Sequence, residues 1–374
     1  MFRSLRPLLI VIPLVAALLA MSSVSAQARV RWPRPKPTTT TASPTPTPAK
    51  TTATPTPTPT SATPTTTTVS ATPTTTTVSA TPTTTTVSAT PTTTSASPTP
   101  TPTGTTSPST ACGGEQVIKN TGAYWACTFD DEFDGTTLDT SKWVVQTTAA
   151  SAFTSGAAPA RACYVNSPNN LAVSGGYLYL GVRKEAGYFT CASPTGAFTT
   201  QFTAASVMSY GKFSQTYGRF EVRAKFPAST VAGLQETLWL WPNKPTLYGT
   251  WPLSGEIDFA EIYSLYNDRS IPYVHYVPAT LDTNVTNNYC TISNLNAFHD
   301  YAVEWTPTSI KVTYDGKTCI NDPWLAAAPL TGLQPFDQPF FLALTQALGV
   351  GANAYTANTP LPAYTTVDYV RAWQ

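Results

Sequence analysis

From Pro37 to Ala111 the chain is almost entirely Thr, Pro, Ser and Ala, with Lys50 its only charged side chain and no aromatic residue. Nothing in such a tract can bury a core, so the fold must be built from the residues C-terminal to it. The unit SATPTTTTV begins at Ser61, Ser70 and Ser79, and a decaying copy starts at Ser88. A period this short, with one Val per unit, has no face to stack, which excludes a solenoid. Proline keeps such a segment extended at roughly 3 Å per residue, so it reads as a tether. Ahead of it, Arg3 and Arg6 precede an apolar run from Leu8 to Met21 and then small residues. That run, about 14 residues with Pro13 inside, is short of the roughly 20 that span a bilayer and reads as a secretory signal peptide. The expected organisation is signal peptide 1–28, linker 29–111 and one folded domain 112–374, giving a secreted, extracellular or wall-associated protein, monomeric and free of the membrane after cleavage.

All six cysteines, 112, 127, 163, 191, 290 and 319, fall in the third segment. An even count behind a signal peptide implies three disulfides, and pairing of neighbours is the preferred connectivity among fifteen. A net charge of +1 gives no electrostatic case for nucleic acid. With two histidines, His275 and His299, and no Cys-x-x-Cys, a zinc site is not expected.

Helical periodicity is nearly absent from the folded segment. Short alternating runs rich in Val, Tyr, Phe and Thr, such as GRFEVRAKF, GEIDFAEIY and TTVDYVRAWQ, are separated by Gly, Asn, Pro and Asp. Asp315-Gly316 between two such runs signals a hairpin. Many strands and few helices point to an all-β, two-sheet antiparallel sandwich.

The candidate chemistry lies in GEIDFAEIY. Glu256, Asp258 and Glu261 interrupt an otherwise apolar strand in a chain with only 11% charged residues, and acids are seldom placed there without a use. Retaining cleavage of a glycosidic bond needs two carboxyl groups about 5 to 5.5 Å apart, one a nucleophile and one an acid then base. Glu256 and Glu261 are at i, i+5, which on an unbroken strand places them on opposite faces. The reading therefore requires a β-bulge between Asp258 and Glu261. Three crowded carboxylates cannot all ionise easily, so at least one should hold a proton near neutral pH.

Several stretches in one order, FDDEFDGTTLDTSKW, NNLAVSGGYLYLGVRK, GKFSQTYGRFEVRAKFP, WPLSGEIDFAEIY, FHDYAVEWTPTSIKVTYDGK, PFDQPFFLAL and VDYVRAWQ, resemble glycoside hydrolase family 16 in its bulged, laminarinase-like branch. The resemblance implies a jelly-roll (concanavalin A-like) sandwich with a concave cleft. It implies Glu256 as nucleophile, Asp258 as its assistant and Glu261 as acid/base, with no cofactor for catalysis. Carried over position by position, it marks Asn170, Glu221, Arg223, Trp239, Trp251, His275 and Gln346 as sugar contacts, with His299 structural. It also matches Asp368, with backbone oxygens near Glu132 and Gly176, to a structural calcium site.

Two departures put the substrate in question. Where relatives commonly read GLWPAFW this chain has Gly233 to Trp239 as GLQETLW, and where they read LNLAVGG a cleft asparagine becomes Thr345 or Gln346. The expected activity is endo-hydrolysis of β-1,3-glucan through a covalent glycosyl-enzyme intermediate. Mixed-linkage glucan, a galactan or transfer to another sugar are the alternatives, and a non-catalytic lectin is a more distant one.

Overall fold

Alternation of apolar and polar residues sets the layers of this protein, whose computed structural model describes residues 111–374. The expected signal peptide and all but the last residue of the linker lie outside the described residues. Sixteen strands run in chain order: β1 (Cys127–Asp131), β2 (Val144–Val145), β3 (Thr154–Ser155), β4 (Ala162–Tyr164), β5 (Leu171–Ser174), β6 (Tyr177–Cys191), β7 (Phe198–Met208) and β8 (Gly218–Lys225). They continue as β9 (Leu234–Pro242), β10 (Glu256–Tyr263), β11 (Tyr273–His275), β12 (His299–Thr306), β13 (Ser309–Tyr314), β14 (Lys317–Asp322), β15 (Phe340–Leu348) and β16 (Ala363–Trp373). Helix among the described residues is confined to single turns at Ala111–Gly114, Thr148–Ser151 and Gly351–Asn353.

The main path runs β11-β10-β9-β15-β7-β6-β16-β8-β12-β13-β14. The two layers form the all-β antiparallel sandwich expected, and they are joined into one continuous curled path because β6 serves both. Its first half pairs with β16 from Leu178 to Val182, and its second half pairs with β7 from Arg183 onward. Pairing is antiparallel except where β4 runs parallel to β7.

The core fills the space between the layers. Leu238, Leu240, Ile257, Phe259, Leu342 and Leu344 from one layer meet Phe220, Val222, Val303, Val312 and Val370 from the other. A second apolar cluster, Trp239, Trp241, Phe341 and Ala343, lies on the opposite face of β9 and β15. That face is the outer surface of the layer carrying β10, and it supplies the floor of the site.

Disulfides join Cys112 to Cys127, Cys163 to Cys191 and Cys290 to Cys319, the neighbour pairing expected. The Asp315-Gly316 hairpin is present between β13 and β14, with φ of 48° and 74°, the double positive φ that a two-residue turn matching strand twist requires. His299 Nδ1 lies 2.7 Å from the Asp315 carboxylate at this turn.

Candidate active site

Gly255 opens the strand that carries the carboxylates. Its φ is 81°, and a Cβ there would come within 2.9 Å of the Phe336 ring, so glycine is needed on both counts. From Glu256 the strand alternates normally, with Ile257 directed into the core and Asp258 opposite Trp239. The register then shifts: Ala260 pairs with Leu238 and Glu261 with Thr237. Three steps along β10 match two along β9, which is the bulge the sequence required. Phe259 and Ala260 are consecutive and both fully buried, so the strand changes phase and Glu261 emerges on the face of Glu256 and Asp258. Tyr314 fixes the bulge from the other layer, donating its hydroxyl to the Phe259 carbonyl at 2.9 Å while Ser270 donates to the Tyr314 oxygen at 3.0 Å.

Each carboxylate has its own neighbour. Trp251 Nε1 donates to Glu256 Oε2 at 2.6 Å. Asp258 Oδ2 lies 3.0 Å from His275 Nε2. Glu261 Oε1 accepts from Tyr263 Oη at 2.8 Å and Gln235 Nε2 at 3.2 Å. Tyr273 stacks on His275 at 4.0 Å between centroids, and Trp251 packs against His275 at 5.2 Å with its ring tilted by 48°.

Burial raises all three acids. It pushes Glu256 up to about 8, helped by the charge of Asp258 and opposed by His275 and the Trp251 donor. Asp258 is raised well above the carboxylate range by burial and then by Glu261. Glu261 is raised by burial against the pull of Tyr263, His275 and Gln235. Near neutral pH the cluster therefore holds protons as a set, and the indole N–H of Trp251 favours placing negative charge on Glu256.

Residues 161–323 match glycosyl hydrolases family 16, and β10 with its three carboxylates sits inside that span. The chain carries a family 16 glycosyl hydrolase domain. It is 33% identical over 263 residues to glucan endo-1,3-beta-glucosidase A1 of Niallia circulans, covering 66% of this chain and 37% of that protein. It is 34% identical over 177 residues to keratan-sulfate endo-1,4-beta-galactosidase of Sphingobacterium multivorum, covering 46% of this chain and 40% of that one. The chain thus spans well under two thirds of either curated relative. The laminarinase of Rhodothermus marinus superposes with a TM-score of 0.55 at 29% identity, over 67% of this chain and 97% of that structure.

In the family 16 domain, Trp239, Trp251 and His275 join the three carboxylates. Trp239 lies in the outer-face cluster and donates to Thr345 Oγ1 at 3.1 Å. Trp251 packs against the same outer-face cluster and donates its indole N–H to Glu256.

Four expected sugar contacts lie elsewhere. Glu221 and Arg223 do share a face, but β8 belongs to the other layer, and Phe220, Val222 and Ala224 occupy its interior side. Glu221 is bonded to Arg219 and Tyr369, and Arg223 to Asp300 and Asp368, all on that layer's outer side. Alternation fixed which residues go together but could not say which sheet they join. Gln346 points inward, donating to Glu236 at 2.7 Å and accepting from Thr365 at 2.8 Å; Thr345 is the residue on the Trp239 side. Asn170 is buried, with its amide nitrogen on Gly181 O and Thr203 Oγ1, on the interior side of β7 shared with Ala205 and Val207.

The residues named for calcium have mixed environments. The Glu132 carboxylate is gripped at both oxygens by Arg371, and Asp368 Oδ2 accepts from Arg223. In the backbone, β1 leaves β16 at Asp131 opposite Val370, and β6 joins it at Leu178 opposite Val367. Asp368 is the bulged residue between those positions, so the chain segments of Glu132 and Gly176 flank it.

Tyr263, Gln235, Tyr273, Trp241 and Phe341 were missed by sequence reasoning. The one available signal was parity: Tyr263 stands two residues after Glu261 and must share its face.

Proposed function

We propose that this protein is a secreted, retaining endo-β-glucanase acting on β-1,3-glucan. The reading rests on one observation: Glu256, Asp258 and Glu261 share a face of a bulged strand, each with its own polar neighbour, above an aromatic floor. The ionised Glu256 oxygen attacks the anomeric carbon as the glycosidic C–O bond breaks, and Glu261 gives its proton to the departing oxygen. Glu261, now a base, takes a proton from water, whose oxygen attacks the same carbon and releases Glu256. Asp258, buried beside His275, holds a proton between the two and limits repulsion as charge moves. Sugar rings present C–H faces to the Trp239 and Trp241 indoles, which supports a carbohydrate polymer as substrate.

The test is a panel of laminarin, lichenan and agarose with linkage analysis of products and NMR of the first anomer released. Laminarin-derived oligosaccharides of retained configuration are expected. Glu256→Gln should abolish hydrolysis with the fold intact by circular dichroism. A galactan is the second reading, favoured by the galactosidase relative and by Thr345 where laminarinase-like relatives have asparagine; release from agarose alone would select it. Saturable binding without any product would instead make the domain a lectin.

The domain order belongs to the same proposal: signal peptide 1–28, tether 29–111, catalytic domain 112–374. N-terminal sequencing of the exported protein checks the first boundary, and size-exclusion chromatography checks a monomer. Asp368, with the carbonyls of Glu132 and Gly176, has the oxygen chemistry that suits a structural calcium ion. Melting with calcium against chelator, in the parent and in Asp368→Asn, tests it.

A further inference from the structure

The Glu261 carboxylate has unequal oxygens. Tyr263 Oη at 2.8 Å and Gln235 Nε2 at 3.2 Å both reach Oε1. These donors form a cross-strand pair, since Tyr263 of β10 lies opposite Gln235 of β9, one pair beyond the Ile262–Glu236 pair. Tyr263 comes two residues after Glu261, so parity places both side chains on the face of the site. An oxygen that already accepts from a phenol and an amide has both lone-pair directions taken, and a proton bound there would meet the donors head-on. The proton of a neutral Glu261 therefore belongs on Oε2.

We propose that Tyr263 and Gln235 are positioning residues that reserve Glu261 Oε2 as the oxygen that delivers and recovers the catalytic proton. They also stabilise the carboxylate left after the proton has gone, because hydrogen bonds to an ionised acceptor are stronger than those to a neutral one. Both hydrogen bonds and burial act on the same group: burial raises the Glu261 pKa, and the two donors oppose it. The inference rests on the assignment of Glu261 as acid/base.

The experiment compares laminarin with 2,4-dinitrophenyl β-laminaribioside, whose phenolate leaves without a proton. Formation of the glycosyl-enzyme is monitored by the burst of dinitrophenolate. In Tyr263→Phe, kcat/KM on laminarin should fall about tenfold, while the burst rate on the aryl glycoside stays within about twofold. The alkaline limb of the laminarin profile should move to higher pH, since losing a donor to the anion raises the Glu261 pKa. Gln235→Met should show the same pattern in weaker form and provides the reading if Tyr263→Phe does not fold. Equal losses on both substrates with an unmoved pH profile would mean a packing role and overturn the proposal. Glu261→Ala is run alongside: loss on laminarin with a retained burst upholds the assignment beneath it. Full laminarin activity in that variant would remove the assignment itself.

Discussion

The indole N–H of Trp251 donates to Glu256 Oε2 at 2.6 Å, five residues before it in the chain and across the turn that Gly255 closes. The same ring packs against His275, which meets Asp258. One side chain thus orients the Glu256 carboxylate and supports the group beside it. Trp251→Phe keeps an aromatic ring at the position and removes the donor. A hydrogen bond to a charged group contributes about 1.5–3 kcal/mol, so kcat/KM on laminarin should drop about 10- to 100-fold. KM should change much less, as stopped-time assays across substrate concentration will show; a loss confined to KM would make Trp251 a sugar platform only.

Tyr314 lies on the opposite layer yet holds the Phe259 carbonyl at the bulge. Tyr314→Phe leaves that buried carbonyl without its side-chain donor, at a cost of about 1–3 kcal/mol. Both the melting temperature and kcat should fall, although the residue is remote from the sugar. Retained kcat with a lowered melting temperature would show that the bulge holds its phase without help.

Glu236 is buried between the layers with Gln346, and burial pushes it up to about 8. A carboxyl group whose folded pKa is raised contributes stability fully below its unfolded value, near 4.5, and loses that contribution as pH rises through 8. Glu236→Gln removes the titration while preserving shape. The variant should gain in melting temperature relative to the parent as pH goes from 4.5 to 9, measured by calorimetry at intervals. A constant difference across that range would mean that Glu236 titrates normally.

Arg223 pairs with Asp300 and Asp368 on the layer away from the carboxylates. Arg223→Ala should leave KM for laminarin within about twofold, because partly exposed ion pairs contribute about 0–1 kcal/mol and here only to stability. A tenfold rise in KM would return this residue to the substrate path.

Much of the candidate site was legible because strand parity is a local property. Glu256 and Glu261, five residues apart, could share a face only if the strand bulged, so the requirement could be stated from the residues. The disulfide partners were legible for a related reason, since neighbours in sequence had short loops to close. The joining of the two layers through β6 was not legible, because a strand of alternating residues looks the same whether it serves one layer or two.

Residue order alone determined that the fold is built from β-strands after a tract that cannot bury a core, and that Glu256, Asp258 and Glu261 belong to one strand. Tertiary structure decided which layer each strand joined, and with it the fate of Glu221, Arg223, Asn170 and Gln346. It also decided that Tyr263, Gln235, Trp251 and His275 meet the acids. Parity is written along the chain by the backbone's period of two, whereas partnership depends on which distant strands find each other, and no local period encodes that.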